Sequence, residues 1–169
     1  MLLLGTFLKK MNDVLIQAIS KDDAAASLPD LISLLQNTVN GGASVGFMPP
    51  LSVSTAEQYW SSVFADVSAE RRHLLVARAD DRICGSVQLS LVMKENGLHR
   101  ADVEKLIVHS DYRNRGIAHV LLQALEEKAR DCKRTLLVLD TVQDSVADRL
   151  YRSCGYVPVG AIPNYALSA

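Results

Sequence analysis

Residues 106–118 read Leu-Ile-Val-His-Ser-Asp-Tyr-Arg-Asn-Arg-Gly-Ile-Ala, an apolar run that passes through an Arg-x-x-Gly-x-Ala turn into a helical pattern. The chemistry this spacing suits is the holding of a phosphate. The first turn of a helix carries N–H groups without intrahelical partners, and aligned peptide dipoles make that end electropositive, so an anion is favoured there. Arg113 and Arg115, on either side of Asn114, add donors matched to a diphosphate. Gly116 and Ala118, on either side of Ile117, keep bulk away from the backbone that the oxygens must approach. Turns of this composition also join strands to helices where nothing binds, so the turn alone leaves both readings open.

Carboxylates are the second kind of candidate. Period-two alternation through residues 101–108 puts Asp102, Glu104, Leu106 and Val108 on one face of a strand. Asp102 and Glu104 are candidates for proton transfer, or partners of Arg100 and Lys105 on a solvated edge. Asp140 closes the apolar run 135–139 at its carboxyl end, the edge where parallel sheets open their ligand crevices. It suits a second base, a site for a substrate ammonium, or a cap on the turn 141–144. Tyr151 lies on an apolar helical stripe, where tyrosines commonly pack with a satisfied hydroxyl. His73, His99, His109 and His119 show no metal-ligand spacing and read as surface or packing residues. Cys84, Cys132 and Cys154 are odd in number, fit no metal or redox spacing, and read as reduced core thiols.

The elements that must position these groups are legible from periodicity. Ile117, Val120, Leu121, Ala124, Leu125, Ala129 and Cys132 recur at helical spacing, and Gln123, Glu126, Glu127, Arg130 and Lys133 take the other face. With the apolar run 135–139 after it, the stretch 101–141 reads as one βαβ unit with a parallel pairing. Upstream, a strand is expected at 13–19 and a helix at 28–39 that Gly41 and Gly42 stop. A second helix is expected from Ser54 or Thr55, with Glu57 as capping-box partner. Antiparallel strands at 73–78 and 83–92 turn at Asp80 and Asp81, and a third begins near His99. A last helix at 145–154 ends at Gly155, followed by a short strand at 156–159.

Composition bounds the rest. A chain of 169 residues, 49% of them hydrophobic, suits a single domain spanning 1–169. A net charge of −1 gives no electrostatic footprint for nucleic acid, and no charge run marks a membrane-binding tail. The apolar opening is too short for a secretory leader and lacks a basic lead-in, so 1–11 read as a leading extension of a cytoplasmic protein. Neither the triple-glycine dinucleotide fingerprint nor a Gly-Lys-Ser/Thr ending is present, which argues against a Rossmann or P-loop enzyme.

Arg113, Gly116 and Ala118 fill the Arg/Gln-x-x-Gly-x-Gly/Ala signature that opens the helix after the fourth strand of the GNAT superfamily of N-acetyltransferases, and the chain resembles that family. A second family element, Asn-x-x-Ala-x-x-x-Tyr followed by Gly-Phe, is matched by Asp144, Ala147, Tyr151, Gly155 and Tyr156. Asp144 replaces an Asn that often contacts the pantetheine arm of coenzyme A, and Tyr156 replaces the Phe. Within the superfamily the chain is most similar to the tabtoxin-resistance acetyltransferase group over residues 39–165. That likeness rests on residues 41–48, 88–91, 96–98, 139–141 and 145–147.

The resemblance implies an α/β chain of the α+β GNAT type, whose mixed, centrally splayed sheet carries helices on both faces. GNAT chains usually finish with a strand beyond the one expected at 156–159, and that strand is missing here. It is expected either in a longer native chain or from a partner subunit. The resemblance further implies acetyl-CoA as co-substrate, no metal, and direct transfer of the acetyl group to the amine of a small, amino-acid-like or toxin-like molecule. Asp102 falls where the family commonly has its base, with Glu104 in reserve, and Tyr151 falls where the family has its general acid. Leu106, Ile107 and Val108 fall where backbone groups hold the pantetheine, the loop 41–48 lies over the acceptor, and family members often form homodimers. The alternative is a catalytically impaired coenzyme A-binding or regulatory protein.

Overall fold

The computed structural model describes residues 7–11 and 13–167. Among these, six strands lie side by side in chain order, β1 (Phe7–Met11), β2 (Val14–Ile19), β3 (Arg72–Ala79), β4 (Arg82–Leu91), β5 (Arg100–Val108) and β6 (Leu136–Val138). The first four pairings are antiparallel and β5–β6 is parallel, as the βαβ pattern requires. Residues 7–11, expected in an extension, instead pair with β2; residues 1–6 of that expectation lie outside the described residues.

Helix α3 (Ile117–Asp131) covers one face of the sheet, and α1 (Ala24–Asn40) and α2 (Val53–Ser68) cover the other. Each layer follows from its apolar stripe. Ile117, Val120, Leu121, Ala124 and Leu125 are buried against Leu75, Ala77, Val87 and Leu89, whereas Leu31, Leu34, Leu35, Trp60 and Val63 are buried against Leu74 and Val76. Central β4 is buried from Ile83 through Leu89 because both layers cover it. Where α3 crosses β4, a Cβ on Gly85 would lie 3.1 Å from Leu121 Cδ1, so glycine sets how closely the helix packs. The indole N–H of Trp60 donates to Leu31 O at 2.9 Å and ties α2 to α1.

Boundaries differ from the sequence pattern where polar chemistry overrides periodicity. Helix α1 starts at Ala24 and runs through Pro29, whose missing N–H orphans only the carbonyl of exposed Ala25. Ser52 caps α2, its hydroxyl accepting from Thr55 N at 3.0 Å, so the Glu57 capping box does not form. The last helix, α4 (Val146–Ser153), has Ser145 as its cap. No strand forms over 156–159 among the described residues: Val157 and Val159 are 80% and 101% exposed and Pro158 has no N–H to give a ladder.

Two irregularities shape the middle of the sheet. Lys105 has φ 51°, and the β4–β5 register slips between Ser86 and Gln88. This bulge breaks the expected alternation. Ala101 and Val103 face α3, but beyond Lys105 it is Leu106 and Val108 that pack with that layer, while Ile107 joins the α1–α2 core. Asp102 and Glu104 therefore share the α1–α2 face without Leu106 and Val108. The β5–β6 ladder ends at Asp102–Val138, so the two strands part and the β6-side edge of residues 103–108 is unpaired among the described residues.

Candidate functional site

The turn at 110–118 joins β5 to α3 through two left-handed residues. After β5, a single 3₁₀ turn at Ser110–Tyr112 leads to Asn114 (φ 60°) and Gly116 (φ 77°), both left-handed, and α3 begins at Ile117. Gly116 is the N-cap and no side chain caps the helix, so the first-turn N–H groups of Ile117 and Ala118 open outward. The turn is pinned from α1: Asn37 accepts from Ser110 N at 2.9 Å and donates to Ser110 Oγ at 3.0 Å. Arg113 folds back to donate to Val108 O at 3.1 Å, and Arg115 donates to Asp111 O at 3.0 Å while lying over the Tyr112 ring.

The parted edge of β5 leads from this turn to a half-buried polar cluster on the α1–α2 face. Arg72 there donates to both Gln88 Oε1 and Glu104 Oε2, the latter at 3.0 Å. Gln88 donates to Tyr59 Oη at 2.9 Å, and Lys105 Nζ lies 5.6 Å from the centre of the Tyr59 ring. Phe47, from the loop between α1 and α2, meets Tyr59 edge to face at 5.2 Å. Burial, opposed by the Gln88 hydrogen bond and the Arg72 charge, pushes the Tyr59 phenol up to about 12. Burial likewise lowers Lys105, with Arg72 adding to the fall and Glu104 and Asp140 acting against it.

Residues of the far wall come from beyond β6. Asp140 is exposed two residues past the strand and is a negative neighbour of both Lys105 and Tyr151. Tyr151, on α4, is buried beside Tyr156, and burial together with Asp140 and Cys154 pushes its phenol up to about 12. Asp144 (φ 60°) donates its N–H to Asp148 Oδ2 at 3.0 Å and its carbonyl accepts from Arg149, so its backbone serves the start of α4 while its side chain is exposed.

The fold thus gathers Arg113–Ala118, the open edge of Leu106–Val108, and the Glu104–Lys105 bulge along one continuous stretch of chain, with Asp140 and Tyr151 electrostatically coupled to it. Asp102 sits one pleat back from Glu104, where β5 and β6 are still paired. The pattern of the acetyltransferase (GNAT) family matches residues 45–156. An acetyltransferase of Pectobacterium atrosepticum is 33% identical over 109 residues, 61% of this chain and 73% of that protein.

The chain belongs to the GNAT acetyltransferase family.

An acetyltransferase of Yersinia pestis is also 33% identical, over 93 residues that cover 52% of this chain and 62% of that one. In structure, the GNAT fold is shared with an aminoglycoside acetyltransferase from an uncultured soil sample, solved with sisomicin, at a TM-score of 0.72, 15% identity, and coverage of 94% of this chain and 97% of that one. A GNAT acetyltransferase of Streptococcus pneumoniae gives 0.68 at 22% identity, with 87% and 86% covered. The protein is therefore an acetyl-transferring enzyme of this family.

Sequence reasoning did not find the cluster of Tyr59, Arg72, Gln88 and Lys105. Tyr59, beside Trp60, Val63 and Phe64, reads as part of the apolar face of the helix expected from Ser54 or Thr55, and the left-handed Lys105, beyond which Leu106 and Val108 turn to the α3 layer, has no residue-type signature. It also misread two thiols: Cys132 and Cys154 are only partly buried, and each lies 3.3 Å from a histidine nitrogen, of His73 and His119 respectively.

Proposed function

We propose that this GNAT enzyme, working as one domain, transfers an acetyl group from acetyl-CoA directly to the amine of a small, amino-acid-like or toxin-like molecule in a ternary complex. The observation that carries the reading is the parting of β5 from β6 along an edge that ends at the side-chain-free N-terminus of α3. A diphosphate at Gly116 to Ala118 would exchange the neutral carbonyl contacts of Arg113 and Arg115 for charge-assisted ones. The pantetheine would then run along Leu106, Ile107 and Val108, whose N–H groups are the candidates to stabilise the thioester oxyanion.

The acceptor must lose a proton before attack, because an alkyl ammonium has a pKa of about 10. Three carboxylates are in range of the reading. Glu104 adjoins the bulge and faces Tyr59, whereas Asp102 lies where the strands are still paired, which supports Glu104 as the base ahead of Asp102; Asp140 suits the substrate's ammonium. Tyr151, which holds its proton well above neutral pH, would supply it to the departing thiolate. Arg72 and Lys105 beside these acids offer cations for a substrate carboxylate, which is why an amino-acid-like acceptor is preferred, in line with the tabtoxin-resistance group.

The test is release of coenzyme A thiol from acetyl-CoA across a panel of amines, each with its carboxylate free and blocked. Amino acids and their analogues should support turnover, and blocking the carboxylate should weaken it. Binding of acetyl-CoA with no thiol released for any amine would instead establish the impaired coenzyme A-binding reading, which the Asp144 departure motivates.

A further inference from the structure

Glu104 and Lys105 are consecutive in β5, and consecutive strand residues ordinarily point to opposite faces of a sheet. Here both meet the same tyrosine. Glu104 acts on the Tyr59 phenol as a nearby negative charge, and Lys105 Nζ stands 5.6 Å from the centre of the Tyr59 ring. The backbone makes this possible, because Lys105 is left-handed at φ 51° within the β4–β5 bulge. The other left-handed non-glycine residues described all lie in turns; Lys105 alone among them sits inside a strand. The result is a carboxylate and an ammonium side by side on the acceptor face.

The two cations of this cluster are not equivalent. Arg72 is fully engaged: it donates to Gln88 Oε1 and Glu104 Oε2, and its Nε lies 3.5 Å from Asp66 Oδ2. Gln88 is wholly buried and is itself held by Tyr59, so a guanidinium that swung away would orphan a buried amide oxygen. Lys105 Nζ, by contrast, has no ion pair and donates no hydrogen bond among the described residues; its neighbours are the Tyr59 ring and the backbone of Gly46, where a Cβ would stand 3.7 Å away. Val45 and Phe47, on either side of Gly46, pack against the α1–α2 core and fix the loop over the ammonium. Burial lowers Lys105, and although Glu104 and Asp140 favour its charged form, neither is bonded to it. A half-buried cation without a bonded anion is an open place for one.

We propose that Lys105 is the specificity-determining residue of the acceptor site: its ammonium binds the free carboxylate of an amino acid whose amine Glu104 deprotonates, while Arg72 positions Glu104 and takes no part in that contact. An amino-acid zwitterion places its ammonium toward Glu104 and its carboxylate toward Lys105. An ester or a simple amine leaves Nζ as it stands, with no bonded partner. The assignment rests on the acetyl-transfer reading of this site.

The experiment compares the standard amino acids with their methyl esters on the parent, Lys105→Met, Lys105→Arg and Arg72→Lys proteins. Methionine keeps the length of the lysine stem and meets the same left-handed backbone, so the substitution removes the charge alone. Two readouts are taken: coenzyme A thiol release from acetyl-CoA, and dissociation constants by calorimetry in the presence of coenzyme A, which has no acetyl group to donate. The parent should prefer an acid over its ester by about tenfold or more, the worth of a charge-assisted contact. Lys105→Met should bring that ratio to about one, through KM for the acid rather than kcat, and Lys105→Arg should restore most of it. Arg72→Lys should lower kcat for acid and ester together and keep their ratio. A preference that survives Lys105→Met, or one that collapses in Arg72→Lys instead, would overturn the assignment, as would a parent that binds acids no better than esters. Binding that follows this pattern with no thiol released from any amine would refute acetyl transfer and leave the Lys105 anchor standing.

Discussion

At the scale of single residues, burial makes the two tyrosines of the candidate site hold their protons more tightly than free phenols do. Tyr59 and Tyr151 are both raised to about 12 from an ordinary 10.0. A group whose folded value lies above its unfolded value stabilises the fold fully below the unfolded value and loses that contribution as pH rises through the folded one. Stability should therefore decline between about pH 10 and 12, by up to about 2–3 kcal/mol per tyrosine. At pH 11, absorbance at the phenolate band should rise as Tyr59→Phe or Tyr151→Phe protein is unfolded by less than it does for the parent. The base is separable by kinetics: Glu104→Gln should lower kcat about a hundredfold or more and flatten the acid limb of the rate profile, whereas Asp102→Asn should leave that limb in place. The reverse pattern returns the role to Asp102. Little of this was readable in the chain, because Tyr59 and Gln88 stand 29 residues apart and Arg72 and Glu104 32 apart. What was readable, the Arg113-to-Ala118 turn, is local: its chemistry lies in neighbouring backbone groups.

At the scale of elements, helix ends decide what each helix is for. All four close their C-termini with paired bonds around a left-handed residue, Gly42, Glu70, Lys133 or Gly155. At the N-termini α2 and α4 carry serine caps, α1 and α3 have no side-chain cap, and of these two only α3 starts from a left-handed glycine. Gly116 and Gly155 are both left-handed, at φ 77° and 89°, and alanine at either costs about 1 kcal/mol of backbone strain. Their consequences should part. Gly155→Ala meets nothing within 4 Å and should only lower the unfolding midpoint, while Gly116→Ala should also weaken acetyl-CoA binding several-fold by calorimetry, since its backbone is the proposed cradle. Unchanged affinity in Gly116→Ala would remove the turn from the coenzyme site. Strong amphipathic patterns such as that of α3 were legible from period alone. The failures were of another kind: a serine cap two residues earlier than expected, and a β6 that the apolar run 135–139 located and paired correctly but that is only three residues long.

Across the whole molecule, the sheet separates two cores, one behind the proposed coenzyme turn and the other behind the proposed acceptor cluster. β3 is the seam, since Leu75 and Ala77 face the α3 layer and Leu74 and Val76 face the α1–α2 layer. The layered architecture followed from the order of strand and helix patterns, but the bulge at Lys105, where the face of β5 switches, is a compromise between the two layers and has no local sequence cause. Leu34 and Leu121 are each wholly buried, one in each layer. Leu34→Ala and Leu121→Ala should each cost about 2–5 kcal/mol in urea unfolding. Because the sheet lies between them, the double substitution should be additive within about 0.5 kcal/mol. The functional effects should divide along the same plane: Leu34→Ala slackens the layer carrying Tyr59 and Phe47 and should raise KM for the amine, and Leu121→Ala slackens the helix that begins at the proposed diphosphate turn and should raise KM for acetyl-CoA. If the two variants instead coupled strongly, or shifted the same KM, the sheet would be transmitting strain between layers and the division of labour argued from Lys105 would fail.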